Sequence, residues 1–235
     1  MNEKRRKGFV AAILHKDPKE IKKTTLMPTI LRQEFEDDKI GILDVRVEME
    51  DGTQLDIEMQ VQYFPYWDRR ILFYISKMYT GQIQSGDSYS KLKKCIHVSI
   101  LDFICFPDDE ECYRTIRFCD CKTGKEYTDI FEIQILELPK LYGKEVNSDI
   151  VKWMRFLSGK SRKEFEEMAK TDEYLEEAYC TLKKLSADEM KRLEYEQREK
   201  AIREHQWMMD GAREMGMQEG LEKGMEQGLE LNCTL

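Results

Sequence analysis

Two neighbouring segments of the chain alternate between apolar and polar residues. In 41–50 and again in 53–62 the apolar residues recur at every second position, which is the period of a half-buried β-strand. These apolar positions are Leu43, Val45, Val47 and Met49 in the first segment and Leu55, Ile57, Met59 and Val61 in the second. Asp51-Gly52 between them is a common hairpin turn. The pattern therefore predicts a β-hairpin with one apolar and one polar face.

The length of the hairpin loop decides which residues face each other. A two-residue loop would place apolar Val45 opposite Glu58, so the apolar faces of the two strands would conflict. A three-residue loop with Gly52 in the left-handed conformation instead pairs residues whose numbers sum to 102. Burial of one face fixes register strongly. We therefore predict the second register, in which Asp44 lies opposite Glu58 on the polar face.

Further strands follow from shorter signals. They are expected at 29–35, 94–103, 112–121 and 129–138. The run 94–103 is almost continuously apolar, which is typical of a strand at the centre of a sheet. A turn at Thr123-Gly124 joins the last two strands.

Helical spacing fills most of the remaining chain. Helices are expected at 2–15, 67–84, 145–157, 163–170, 173–185 and 188–209. The order of elements predicts an α/β (α+β) fold, a mixed sheet flanked by helices with an all-helical C-terminal extension. We expect a first domain over 1–145, a helical extension over 146–210 and a tail over 211–235.

The expected tail contains a glycine repeat. Glycine recurs every four residues, at Gly216, Gly220, Gly224 and Gly228. Each glycine weakens an isolated helix by about 1 kcal/mol, and this period drifts around a helix too fast for a coiled-coil seam. Two interpretations stay open: a partly disordered terminus, or a segment through which copies of the chain form a homo-oligomer.

Charge is spread unevenly along the chain. Charged residues make up 36% of the 235 residues and the net charge is −8, which argues against a surface coated for nucleic acid. Basic residues nevertheless exceed acidic ones by five in 1–30 and by four in 62–100. A phosphate-bearing ligand such as DNA would therefore be attracted to the first hundred residues.

The cellular setting follows from the absence of long apolar runs and from the cysteines. No segment approaches the roughly 18 apolar residues of a membrane span, and the charged start does not resemble a signal peptide. The seven cysteines are odd in number and irregular in spacing. We therefore expect a soluble cytoplasmic protein with free thiols and no membrane partner.

Asp44 and Glu58 are the candidate metal ligands of the hairpin. Residues directly opposed on neighbouring strands have Cβ atoms roughly 4.5–5.5 Å apart, and two carboxylates this close repel unless a cation lies between them. Mg²⁺ or Mn²⁺ prefers such oxygen ligands. Gln60 follows on the same face. The simpler reading is that these polar residues form the wet face of an antiparallel hairpin.

The order of several motifs resembles the PD-(D/E)XK nuclease family transposases, which include the recombination-promoting nucleases. The central signature of that family is similar to Leu43-Asp44-Val45-Arg46-Val47, Asp51-Gly52 and Asp56-Ile57-Glu58-Met59-Gln60. The segments 69–79, 87–93, 100–103 and 132–140 and the Glu- and Gly-rich C-terminus are also similar. The resemblance covers roughly residues 8–140 and the tail. Members of the family usually have another helical stretch ahead of the region 9–14, so the resemblance leads us to expect a truncated copy or an alternative start.

The resemblance implies a restriction-endonuclease-like fold and metal-dependent hydrolysis of DNA phosphodiester bonds. By position it assigns Asp44 and Glu58 as metal ligands, and it gives Gln60 the place of lysine in the Glu-x-Lys form. Neutral glutamine can orient a water molecule, whereas lysine also stabilises developing negative charge. Arg70 or Lys77 on the next helix could supply that charge. For each of these two residues a surface salt bridge is the other reading.

Other chemistry has weaker signals. Three cysteines with one further ligand could hold zinc: Cys112, Cys119 and Cys121, with His97 or Cys105. The paired Cys-x₂-Cys knuckles of zinc sites are absent, so free thiols are the competing reading. A Cys–His hydrolase at Cys95 and His97 would need an alignment that strand neighbours do not provide.

Two functions from different classes therefore remain. The first is a metal-dependent DNA endonuclease associated with recombination or mobile elements. The second is a catalytically weak or inactive relative that binds copies of itself or another protein through its acidic helices and tail. Gln60 and the start of the chain separate the two readings, and plasmid nicking would decide between them.

Overall fold

The computed structural model describes residues 3–31, 43–63, 65–143, 148–159 and 161–184, and beyond them positions 200, 207, 211–213, 215–218 and 220. Contacts divide the chain into two compact units, Met1–Tyr63 with Asp68–Lys184 and Phe64–Trp67 with Leu185–Leu235. The positions described beyond 184 are helical. The predicted division into a domain over 1–145, a helical extension over 146–210 and a tail over 211–235 stays a prediction.

Six strands form one mixed sheet. They are β1 (Thr24–Met27), β2 (Val45–Met49), β3 (Gln54–Gln60), β4 (Cys95–Leu101), β5 (Tyr113–Cys119) and β6 (Glu126–Glu137). Their order across the sheet is β1-β2-β3-β4-β6-β5. The strands β3, β4 and β6 run parallel, and both edges of the sheet pair antiparallel. Strand β4 is central and all seven of its residues are buried, as its apolar run predicts.

Helices cover both faces of the sheet. They are α1 (Glu3–Leu14), α2 (Trp67–Thr80), α3 (Asp149–Ser158), α4 (Arg162–Ala169) and α5 (Glu173–Lys184). Residues of α1, α3 and α5 share the main core with one face of β2, β3 and β4. On the other face, α2 contributes Tyr74, Ile75 and Met78 to a second cluster with Cys95. The arrangement confirms an α+β fold with a mixed sheet flanked by helices.

The hairpin register agrees with the prediction. Val45 pairs with Ile57 and Val47 with Leu55, so paired residue numbers sum to 102. Gly52 has φ of +84°, which is the left-handed conformation that glycine adopts without a Cβ penalty. A side chain at this position would also meet the Lys93 side chain. The three-residue loop therefore sets the register, as the alternation of apolar residues requires.

Two expectations about the first fifty residues are wrong. The first strand is Thr24–Met27, inside the lysine-rich connector, and within the expected strand at 29–35 the described residues 29–31 form no regular strand; the remainder of that segment lies outside the described residues. Leu43 does not share the face of Val45 and Val47 but is buried in the second cluster. The backbone bends at Asp44, and the Leu43 amide donates to Thr29 O at 3.0 Å. The alternation therefore begins only at Val45.

Most of the other predicted helices and strands are present, and most of them are shorter than predicted. The helix expected at 67–84 ends at Thr80, and the helices expected at 145–157, 163–170 and 173–185 correspond to α3, α4 and α5. The helix expected at 188–209 and most of the glycine repeat lie outside the described residues. In the described part of the chain, no helix has the length and apolarity to cross a bilayer, and the six cysteines found there are free thiols.

Candidate active site

The polar face of β3 is buried beneath α2. Its four polar side chains are at most 7% exposed, and they are Gln54, Asp56, Glu58 and Gln60. The reading of this stripe as the wet face of a hairpin is therefore wrong. An antiparallel hairpin by itself would leave one face in water, but here the parallel partner β4 and the helix α2 complete the enclosure. Burying this many polar groups costs free energy unless they find partners.

Glu58 pairs with Arg70 from α2. The Arg70 Nη2 atom donates to Glu58 Oε2 at 2.7 Å, and the guanidinium also lies 5.4 Å from the centre of the Tyr74 ring. The pKa of the Glu58 carboxyl is raised to about 7: burial is the largest cause and nearby Asp56 adds to it, whereas Arg70 and His97 oppose the rise. The effect of burial on the pKa therefore outweighs that of the ion pair with Arg70. The positive charge near Glu58 is too small to keep its carboxyl fully ionised at neutral pH.

Asp44 lies at the open end of this stripe. It precedes β2 and is partly exposed, and its Oδ2 atom accepts a hydrogen bond from the Met59 amide at 3.2 Å. The strand ladder begins at Val45, so Asp44 reaches the neighbouring strand from a bend rather than from within the ladder. The Asp44 carboxylate is thereby fixed to the backbone next to Glu58. Asp44 therefore lies just before β2 and Glu58 lies within β3, and the ladder ends one pair short of the predicted opposition of these two acids.

A chain of buried polar groups lies behind Glu58. His97 Nδ1 is 2.7 Å from Asp56 Oδ2, and His97 Nε2 is 2.8 Å from Ser99 Oγ. Each of these side chains is at most 1% exposed. The parallel pairing of β3 with β4 sets Asp56 beside His97 and Glu58 beside Ser99. This group was missed in the sequence because Asp56 and His97 are 41 residues apart and only the strand order brings them together.

Of the three other predicted site residues, Gln60 and Arg70 lie at the site and Lys77 lies further along α2. Gln60 is 2% exposed and lies on the same face of β3 as Glu58. Arg70 contacts the site directly, so its reading as a surface salt bridge is wrong. Lys77 lies two turns further along α2, where its ammonium is 5.9 Å from the centre of the Phe73 ring. Of the two candidate cations, Arg70 is the one bonded to Glu58.

The donor set suits a magnesium-like ion better than zinc. Among the described residues no group of three or more His, Cys, Asp or Glu side chains is gathered as a metal centre, so the zinc reading of Cys112, Cys119 and Cys121 fails there. Both nitrogens of His97 are engaged with Asp56 and Ser99. Mg²⁺ needs only one or two carboxylates and completes its shell with water and phosphate.

One carboxylate oxygen buried near Glu58 lacks a hydrogen-bond partner in the described structure. This atom is Oδ1 of Asp56. The pKa of neighbouring Glu58 is raised chiefly by burial and secondly by Asp56, so the charged form of Glu58 is not fully compensated by the groups around it. Asp44 and Glu58 therefore fit a divalent cation, which would stabilise the charged form of the Glu58 carboxyl.

The pKa of Glu58 predicts a pH dependence of stability. The folded value of about 7 lies above the ordinary value of 4.5, so folding favours the protonated carboxyl. Its stabilising contribution is complete below pH 4.5 and is lost as the pH rises through 7. In metal-free buffer, the free energy of unfolding of the parent should fall relative to that of Glu58→Gln over this range. Urea unfolding of both proteins measures the difference, and a constant difference would contradict the raised pKa.

Comparison with known proteins identifies a family for the chain. A family model described as PD-(D/E)XK nuclease family transposase matches residues 2–212. No curated protein and no solved structure matches the chain. The match includes the hairpin, α2 and the helices α3 to α5.

Proposed function

Since the chain belongs to the PD-(D/E)XK nuclease family transposases, we propose that it is a metal-dependent endonuclease that hydrolyses phosphodiester bonds of DNA. The family supports a nuclease-like function, and its description as transposases supports a role in recombination or in mobile elements. The observation that carries the proposal is the buried Glu58 carboxyl, with a pKa of about 7, next to the partly exposed Asp44. A buried carboxyl whose charged form is disfavoured, next to a second carboxylate, favours binding of a divalent cation.

Asp44 and Glu58 would hold the ion, which is Mg²⁺ or Mn²⁺. When bound, such an ion activates water and offsets negative charge on the scissile phosphate. Asp44 is fixed for this role by the Met59 amide, and Glu58 by the Arg70 guanidinium. Both carboxylates are therefore held by partners rather than free to rotate, which lowers the cost of ordering them when a ligand arrives.

Gln60 and Arg70 would share the work that lysine performs in the Glu-x-Lys form. The Gln60 amide can donate to and accept from a water molecule, so it can orient the nucleophile. Arg70 carries a permanent charge within reach of Glu58, and its fork-shaped guanidinium suits phosphate oxygens. We assign Gln60 to orientation and Arg70 to charge stabilisation. Lys77 remains a candidate for a phosphate contact further along α2.

Plasmid nicking tests the proposal. Supercoiled plasmid should be converted to the open-circular form by the full chain in Mg²⁺ or Mn²⁺, and not in EDTA. Cleavage that persists in EDTA would contradict the metal dependence.

The second candidate function is that of an inactive relative which acts by association. The observation in its favour is the direct Arg70–Glu58 bond, because the guanidinium already neutralises part of the carboxylate. Binding of DNA without any cleavage in Mg²⁺ or Mn²⁺ would select this reading. If the protein acts in this way, we also expect copies of the chain to form an oligomer through the tail.

A further inference from the structure

The carboxyl ends of the three parallel strands form one row beside the site. Gln60 of β3 pairs in register with Leu101 of β4, and Leu101 pairs with Glu137 of β6. Chain segments that leave these strands therefore emerge at the same edge of the sheet as the Asp44–Glu58 pair. Two of them stay close together, because the Asp102 amide donates to Gln60 O at 2.9 Å. The exposed residues on these two segments therefore lie at the same edge of the sheet as the site.

The loop that follows β4 is held rigidly at this edge. Glu137 is 0% exposed, and its Oε1 atom accepts hydrogen bonds from the amides of Cys105 and Phe106. Lys140 donates to Phe106 O and lies 2.9 Å from Glu137 Oε2. Buried charges are costly unless they are paired, so this clamp fixes the loop conformation. The loop is therefore a preformed surface rather than a lid.

An aromatic pair stands on this surface. The rings of Tyr63 and Phe103 meet edge to face, with centroids 5.8 Å apart. Tyr63 remains 59% exposed despite this contact, and the neighbouring Val61 and Ile104 are also exposed. Tyr63 lies three residues after Gln60, and Phe103 directly follows the Asp102 amide bonded to Gln60. Both rings are thus joined to the site through the ends of β3 and β4.

We propose that Tyr63, braced by Phe103, is the platform on which an unpaired base of the DNA strand stacks next to the cleaved phosphate. The inference rests on the proposed endonuclease function and extends it to substrate class, namely single-stranded or locally opened DNA. Every base has a flat π-face that an exposed ring can cover, whatever the sequence. A base inside a duplex is already stacked on its neighbours, so it has no face available for Tyr63.

The experiment measures binding of the full chain to a fluorescent dT oligonucleotide and to a duplex of the same length, in EDTA so that nothing is cleaved. Tyr63→Ala should weaken the dT complex about tenfold, which is the size of one base–aromatic contact, and should change the duplex complex much less. Tyr63→Phe keeps the ring and should bind as the parent does. Tyr127 is 84% exposed on the β5–β6 hairpin, so Tyr127→Ala is the matched control and should also bind as the parent does.

The proposal is overturned if Tyr63→Ala binds the dT oligonucleotide as tightly as the parent, or if the parent does not bind it. It is also overturned if Tyr127→Ala weakens binding equally. Its failure differs from failure of the endonuclease proposal. A parent that nicks plasmid while Tyr63→Ala keeps full affinity removes only the stacking platform. A parent that never nicks, but loses dT affinity in Tyr63→Ala, keeps the platform and removes the enzyme.

Discussion

Glu58→Gln should abolish plasmid nicking, with a loss on the order of 10³-fold or more, because it removes a charged oxygen from the pair that would hold the cation. The amide keeps the size of the side chain and still offers an acceptor to Arg70 Nη2, which now lies 2.7 Å from the carboxylate. The fold should therefore survive. Initial nicking rates in Mn²⁺, with circular dichroism of both proteins, measure the two effects separately.

The control for this substitution is the same chemical change elsewhere in the sheet. Glu126 lies at the start of β6, is exposed and pairs with Arg117 at 2.8 Å. Glu126→Gln should nick at the parental rate, since an exposed ion pair contributes little. Nicking by Glu58→Gln at a rate within a few-fold of the control would remove Glu58 from the site.

His97→Ala should be the most destabilising substitution near the site. Asp56 is fully buried, its Oδ1 atom has no hydrogen-bond partner in the described structure, and its Oδ2 atom is 2.7 Å from His97 Nδ1. Removing the imidazole would leave a buried carboxylate with neither oxygen hydrogen-bonded, at a cost of about 3–5 kcal/mol. Urea unfolding should show a large fall in the midpoint.

Two further variants separate this loss from the loss of packing. His97→Asn retains a donor for Asp56 and should recover part of the stability. In the double variant Asp56→Ala with His97→Ala, the orphaned charge is gone, so the combined cost should be less than the sum of the single costs. Strict additivity would show that the pair has no energetic coupling.

The fold near the site follows from sequence because local rules decide it. Alternation of apolar residues and a glycine at the turn suffice to give the register, in which Val45 pairs with Ile57. This register and the family resemblance together predict Asp44 and Glu58 as the metal ligands. The bend at Asp44 was not predictable, because it depends on Leu43 packing against α2 and bonding to Thr29.

What the sequence could not supply is the contact between distant segments. Polar alternation along β3 is compatible with a wet face, and only the position of α2 makes it a buried one. The partners of Asp56 and Glu137 lie on other strands and loops, 41 and 31–32 residues away along the chain. The partner of a buried acidic residue in a strand can be identified only when the strand order is known, because the strand order decides which distant segment lies beside it.

Binding of Mn²⁺, followed by the loss of the free-ion electron paramagnetic resonance signal, tests the account most directly because it needs no knowledge of the DNA sequence that is cleaved. The parent chain should bind the ion saturably near neutral pH. Asp44→Asn and Glu58→Gln should each weaken this binding strongly, while Glu126→Gln should leave it unchanged. Equal Mn²⁺ binding by the parent and both site variants would contradict a metal site formed by Asp44 and Glu58.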